Sequence, residues 1–124
     1  MKRSERPAVV LVGHGSKAAR FDGAMKRVAL RLRRGPYRSV RCAYLEITSP
    51  SIPDAVRDAV EKGALEVRIL PYFVLSGRHI REDIPRIVSL EKNRWKGRAK
   101  IVLCPYLGFD ERLVGVVRDR LHGR

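Results

Sequence analysis

Ala8-Val9-Val10-Leu11-Val12, closed by Gly13-His14-Gly15, is the stretch that decides the fold class. An unbroken apolar run rich in valine is the pattern of a strand covered on both faces, as in a parallel sheet. Outward from it, the apolar residues Phe21, Met25, Val28, Ala29 and Leu32 recur at helical spacing between Ala18 and Arg34. Arg27, Arg31 and Arg34 line the opposite side, and Gly35-Pro36 stops the helix. Val40 to Leu45 reads as a second strand. Pro50 to Lys62 reads as a second helix, with Ser49 or Ser51 as cap, Pro50 and Pro53 suited to the first turn, and Gly63 at its end. Val67 to Phe73 gives a third strand, in which Pro71 has no N–H for a ladder and belongs near the end. A third helix begins between Gly77 and Asp83 and runs to about Asn93. Ala99 to Cys104 is a fourth strand. From Asp110, the residues Leu113, Val114, Val116, Val117 and Leu121 mark a fourth helix.

Strands alternating with helices require right-handed crossovers, so the expected fold is a small doubly wound α/β sandwich with helices on both faces of a four-stranded parallel sheet. The flavodoxin-like strand order 2-1-3-4 is the working expectation. The 124 residues suit one domain over 1–124. No repeat, low-complexity tract or linker interrupts them.

Composition narrows the partners. Hydrophobic residues at 44% and charged residues at 32% exclude disordered and collagen-like chains. No apolar run approaches the roughly 18 residues that crossing a bilayer requires. Lys and Arg number 27 against 13 Asp and Glu, a formal net charge of +14, which calls for anionic partners: nucleic acid, anionic lipid, or a small molecule bearing many carboxylates or phosphates. Cys42 and Cys104 sit in apolar segments without Cys-x-x-Cys spacing, reading as buried thiols in a reducing cytoplasm. The N-terminus, Met1 to Pro7, is basic but makes a poor signal peptide.

In open α/β sheets, ligands bind beyond the carboxyl ends of the strands, where the winding reverses. His14 follows the first strand, Glu46 the second, and His79 lies in the loop after the third. Two imidazoles and a carboxylate suit Fe²⁺, Co²⁺, Ni²⁺ or Zn²⁺ better than Mg²⁺ or Ca²⁺. Each residue also has an ordinary reading, as a turn-capping histidine, a solvated glutamate or a histidine bonded to backbone. Two of the three histidines meeting at one edge favour a site. Gly13-His14-Gly15-Ser16 lacks the spacing of a nucleotide loop, and no G-x-S-x-G elbow supports Ser16 as a nucleophile. His122 reads as a surface residue. The basic turn Lys92 to Arg98 around Trp95 reads as a solvated loop with a packed tryptophan, the alternative being a nucleic-acid contact.

His14-Gly15-Ser16, then Tyr44-Leu45-Glu46 followed by Pro50-Ser51-Ile52, and above all Pro71-Tyr72-Phe73-Val74-Leu75-Ser76-Gly77-Arg78-His79-Ile80-Arg81-Glu82-Asp83-Ile84-Pro85, closely resemble the small class II chelatases. These are the sirohydrochlorin cobaltochelatases and ferrochelatases of CbiX/SirB type. The resemblance runs from the first strand through the fourth. It implies insertion of Co²⁺, Fe²⁺ or Ni²⁺ into a tetrapyrrole, with the metal as substrate and no permanently bound cofactor. His14 and His79 would be metal ligands and proton acceptors, with Glu46 assisting as ligand or base. Ser16, Lys17, Arg20, Ser76, Gly77, Arg78 and Arg81 would meet the carboxylate-edged macrocycle, while Asp83 and Pro85 would start the third helix and stabilise its loop. Larger chelatases of the class hold the macrocycle between two lobes, so a single lobe implies a homodimer. The absence of a histidine-rich tail and cluster cysteines implies the short form without a redox cluster. The competing expectations are a metal or tetrapyrrole carrier of the same fold without turnover and, less favoured, a nucleic-acid-binding module; no membrane partner is expected.

Overall fold

The structure, a computed structural model, describes residues 5–124, so the start Met1-Lys2-Arg3-Ser4 of the basic N-terminus lies outside the described residues. The strands are β1 (Ala8–Gly13), β2 (Ser39–Tyr44), β3 (Glu66–Pro71) and β4 (Lys100–Leu103), interleaved with helices α1 (Gly23–Leu32), α2 (Ile52–Glu61), α3 (Ile84–Arg94) and α4 (Glu111–Leu121). All pairings are parallel and the order is β2-β1-β3-β4, as expected.

The valine-rich β1 is covered on both sides because alternate residues face opposite ways. Ala8, Val10 and Val12 join Ile52, Val56, Ile84 and Val88 in a core beneath α2 and α3. Val9 and Leu11 join Met25, Ala29, Val40 and Tyr44 beneath α1. The central strand is thus the shared wall of two cores, and its carboxyl end opens where the connections diverge.

Several boundaries differ from the sequence reading for local reasons. The first helix starts at Gly23 instead of Ala18, since Arg20 takes φ +60° in the left-handed region and breaks the helical path. Phe21, expected on the apolar face of that helix, is instead exposed on the preceding turn, against the Tyr44 ring at 5.7 Å. In α2, Ser51 is the cap: its hydroxyl accepts the Asp54 N–H at 3.2 Å. Strand β3 ends at Pro71, and Tyr72 donates one more bond to the Val12 carbonyl at 2.8 Å. Cys42 and Cys104 are free and half-buried, a correction to the buried reading, because they lie on and just beyond the two edge strands. Burial still raises both thiol pKa values. Trp95 packs as expected, buried, with its indole N–H donated to Glu91 at 3.2 Å. The largest departure is α4, which buries no residue and packs substantially on neither the sheet nor another helix. No helix among the described residues is long and apolar enough to cross a membrane.

Candidate functional site

The loop after β1 is zipped to the loop after β2. Leu45 donates its N–H to the carbonyls of Gly13 and His14 at 3.1 and 3.2 Å, and Glu46 donates to His14 at 3.1 Å, so the β1–β2 ladder continues beyond the strands. Gly15 allows this approach. It has φ +108°, and a Cβ there would stand 1.8 Å from the Glu46 carbonyl oxygen. Ser16 and Thr48 complete the clasp, the Ser16 N–H donating to the Thr48 hydroxyl and that hydroxyl donating to the Ser16 carbonyl, both at 3.1 Å. Ile47 between them has φ +65°, and its neighbours close a three-residue turn through Thr48 N–H to Glu46 C=O at 2.6 Å. A β-branched residue in this conformation costs about 1–2 kcal/mol, strain that the clasp holds beside the site. The outcome is His14 Nε2 at 2.7 Å from Glu46 Oε1, both side chains about half exposed.

The second half comes from the β3 loop. The chain enters α3 through a π-helical turn, His79–Asp83, in which Ile84 N–H bonds the His79 carbonyl five residues back. π-Turns of this kind recur at functional sites. His79 Nδ1 lies 2.8 Å from Asp83 Oδ2, and the His79 ring meets the His14 ring with centroids 4.7 Å apart and planes inclined at 63°. Four side chains therefore form a row: Glu46, His14, His79, Asp83. An ionised carboxylate only accepts hydrogen bonds, so in the neutral rings the protons sit on His14 Nε2 and His79 Nδ1. His14 Nδ1 and His79 Nε2 keep their lone pairs, available to a borderline cation such as Fe²⁺, Co²⁺ or Ni²⁺ or to a proton.

Among the described residues no three His, Cys, Asp or Glu side chains are placed to hold a metal ion. Both carboxylates of the row are engaged with imidazoles. The arrangement offers two nitrogen donors, each on a ring whose other nitrogen is held by a carboxylate.

Residues 8–123 match the family model CbiX. The chain belongs to the CbiX family. It is 29% identical over 141 residues to the sirohydrochlorin cobaltochelatase of Methanocaldococcus jannaschii, spanning 94% of this chain and 99% of that protein. The chloroplastic sirohydrochlorin ferrochelatase of Arabidopsis thaliana is 31% identical over 114 residues, which are 91% of this chain and 50% of that protein. Among solved structures, a putative cobalamin biosynthesis CbiX protein from Marinobacter aquaeolei VT8 superposes with a TM-score of 0.77 at 26% identity, over 94% of each chain.

Within this CbiX-family chain the remaining candidates fall on the two loops. Lys17 and Arg20 are exposed after His14, and Ser76, Gly77, Arg78 and Arg81 are exposed around His79. Arg78 leans on Glu82, its Nε 2.9 Å from Oε2. The Ser16 hydroxyl accepts the Ala18 N–H at 3.0 Å and so shapes its own loop. Asp83 corrects the sequence reading. It occupies the cap position of α3 but makes no capping bond, and its carboxylate goes to His79. Pro85 stands in the first turn as expected.

Further supports, Thr48, Asp22 and Lys26, carry no signal in the sequence. Thr48 clasps the two loops. Behind them, the Tyr44 hydroxyl donates to the buried carboxylate of Asp22, which also pairs with Lys26 Nζ at 3.3 Å. Tyr44's bond holds the Asp22 carboxyl below its ordinary pKa, whereas burial, then the Asp22 bond, pushes the Tyr44 phenol well above its own. Only the four-residue step from His79 to Asp83 carried a sequence signal, since that spacing puts two side chains on one helical face.

Proposed function

We propose that this protein inserts Co²⁺, Fe²⁺ or Ni²⁺ into sirohydrochlorin. Its family membership supports the reading, and the paired imidazoles, 4.7 Å apart at the carboxyl edge of the sheet, carry it. Metallation releases two protons: the macrocycle loses two pyrrole N–H protons as the divalent ion enters. His14 and His79 are the catalytic residues, ligands to the incoming ion through Nδ1 and Nε2 and acceptors of the protons once the ion has left them. Glu46 backs His14, offsets the ion's charge and can relay a proton outward. Each ion accepts such nitrogen donors, so supply decides among them.

Lys17, Arg20, Arg78 and Arg81 bind the substrate's carboxylates, arginine through paired N–H donors. Ser16, Ser76 and Gly77 shape the loops that receive it. The basic excess serves this partner in preference to nucleic acid, since Trp95 is buried against Glu91 and offers no open stacking face. The free thiols fit a reducing cytoplasm.

A second copy completes the cleft. Val114, Val117 and Leu121 of α4 stand exposed and, with the half-buried Leu113 and with Leu75 and Phe109, line an apolar groove of about 540 Å³. An isolated helix of this length is marginal in water. Burying each such side chain contributes roughly 1.5–3 kcal/mol. Since the groove abuts the Val74-Leu75 segment leading into the His79 loop, a partner seated there would wall the site.

The decisive experiment follows the absorption spectrum of sirohydrochlorin with Co²⁺, Fe²⁺ or Ni²⁺ in the presence and absence of the protein. The expected result is metallation well above the uncatalysed rate. Binding of either substrate without acceleration would replace the enzyme by a carrier.

A further inference from the structure

We propose that Asp83 is a positioning residue: its carboxylate locks His79 with the proton on Nδ1, so that Nε2 presents its lone pair beside His14. The inference rests on the metal-inserting reading for its effect on rate, though its structural half stands on its own geometry.

Asp83 stands where aspartate ordinarily caps a helix, and it does not cap. Its backbone is already helical at φ −67° and ψ −52°, and its side chain makes no capping bond. The residue two places on, Pro85, has no N–H to be capped. The carboxylate turns instead along the helical turn His79–Asp83, where the four-residue spacing puts positions 79 and 83 on one side. There Oδ2 takes His79 Nδ1 at 2.8 Å, while Oδ1 faces Arg86 at 3.7 Å. The Asp83 side chain is 25% exposed and that of His79 38%, against 55% for Glu46 and 47% for His14, so the inner pair is the better shielded from solvent.

The two histidines are consequently held in opposite tautomers. Glu46 takes the proton-bearing Nε2 of His14 and Asp83 takes the proton-bearing Nδ1 of His79. Which nitrogen of a histidine is protonated follows from the bond the ring makes. A free imidazole side chain prefers its proton on Nε2, which would seal the nitrogen His79 needs for a metal. Asp83 reverses that preference, and without it His79 spends most of its time with the wrong nitrogen exposed.

The test is long-range ¹H–¹⁵N correlation of the histidine rings in the full-length protein at pH 8.5, read beside the Co²⁺-insertion rate. In the wild-type protein, His79 Nδ1 should resonate as the protonated nitrogen and Nε2 as the unprotonated one. Asp83→Ala should move the proton to Nε2 and lower the insertion rate by about 10- to 100-fold, as loss of a supporting bond behind a metal ligand typically does. Asp83→Glu, which can still reach the ring, should restore the wild-type tautomer and most of the rate. A wild-type His79 protonated on Nε2 overturns the proposal, even if Asp83→Ala does not fold. So does Asp83→Ala with an unchanged tautomer or a rate within twofold of wild type. Failure of the wild-type protein to insert any metal strikes the functional reading instead, while the nitrogen shifts still decide whether Asp83 governs His79.

Discussion

Gly15 shows how tightly one position can set a site. With φ +108° and the Glu46 carbonyl oxygen 1.8 Å from where a Cβ would sit, it alone permits the two loops to zip together. Gly15→Ala should therefore push the loops apart, lengthen the His14–Glu46 pair and cost at least the ~1–2 kcal/mol of left-handed strain. Urea unfolding checks the stability loss, and the insertion assay should show a parallel fall in rate. His14→Ala and His79→Ala are both expected to reduce the rate at least about 100-fold while leaving the unfolding midpoint nearly unchanged, since both side chains are partly exposed at the rim of the sheet. Near-full activity in either variant would remove that histidine from the chemistry. At this scale the chemistry-bearing residues, Glu46 among them, were legible as residue types after strands, and the four-residue step from His79 to Asp83 marked a shared helical face. Which ring nitrogen each carboxylate takes was not legible, because that is set by how the loops close in space.

Among the elements, the junction of β2 with α1 depends on one buried polar pair. Tyr44 closes the end of β2 and its hydroxyl reaches Asp22, the residue preceding α1. Tyr44→Phe would leave that carboxylate buried with Lys26 as its remaining side-chain partner, at a cost of about 1–3 kcal/mol near neutral pH. The pH dependence has a definite sign. A carboxyl whose folded pKa lies below its unfolded value stabilises the fold above the ordinary carboxylate range and loses that contribution as pH falls through the lower folded value. The difference in unfolding free energy between wild type and Tyr44→Phe should thus be full at pH 7 and shrink below pH 4. A difference that stays constant down to pH 2 would assign the effect to packing. Asp58, held down by Lys62 and Arg41 at the α2–β2 junction, adds acid sensitivity of the same sign.

For the molecule as a whole, α4 is the element whose apolar side chains no other described strand or helix covers. If a second copy covers it, Leu113→Asp with Val117→Asp should convert a dimer into a monomer in sedimentation, with the secondary structure of the sheet intact and the insertion rate reduced. A wild-type protein that sediments as a monomer at micromolar concentration would remove the partner from the proposal.

Much of the architecture was determined by the sequence on its own. Apolar runs, helical periodicity, a serine cap and stop signals at glycine are local, and local patterns survive in one dimension: four strands, four helices and two histidines at the carboxyl edge were readable from them. The strand order could only be assumed, and it proved to be β2-β1-β3-β4. What the tertiary structure alone decided are the relations between segments distant along the chain. The imidazoles meet at 4.7 Å, Asp83 turns its carboxylate to His79, Tyr44 reaches Asp22, and α4 carries a helical apolar face that the other described elements leave unburied. Each depends on where loops close in space and on which faces remain to be covered, and those are properties of packed elements.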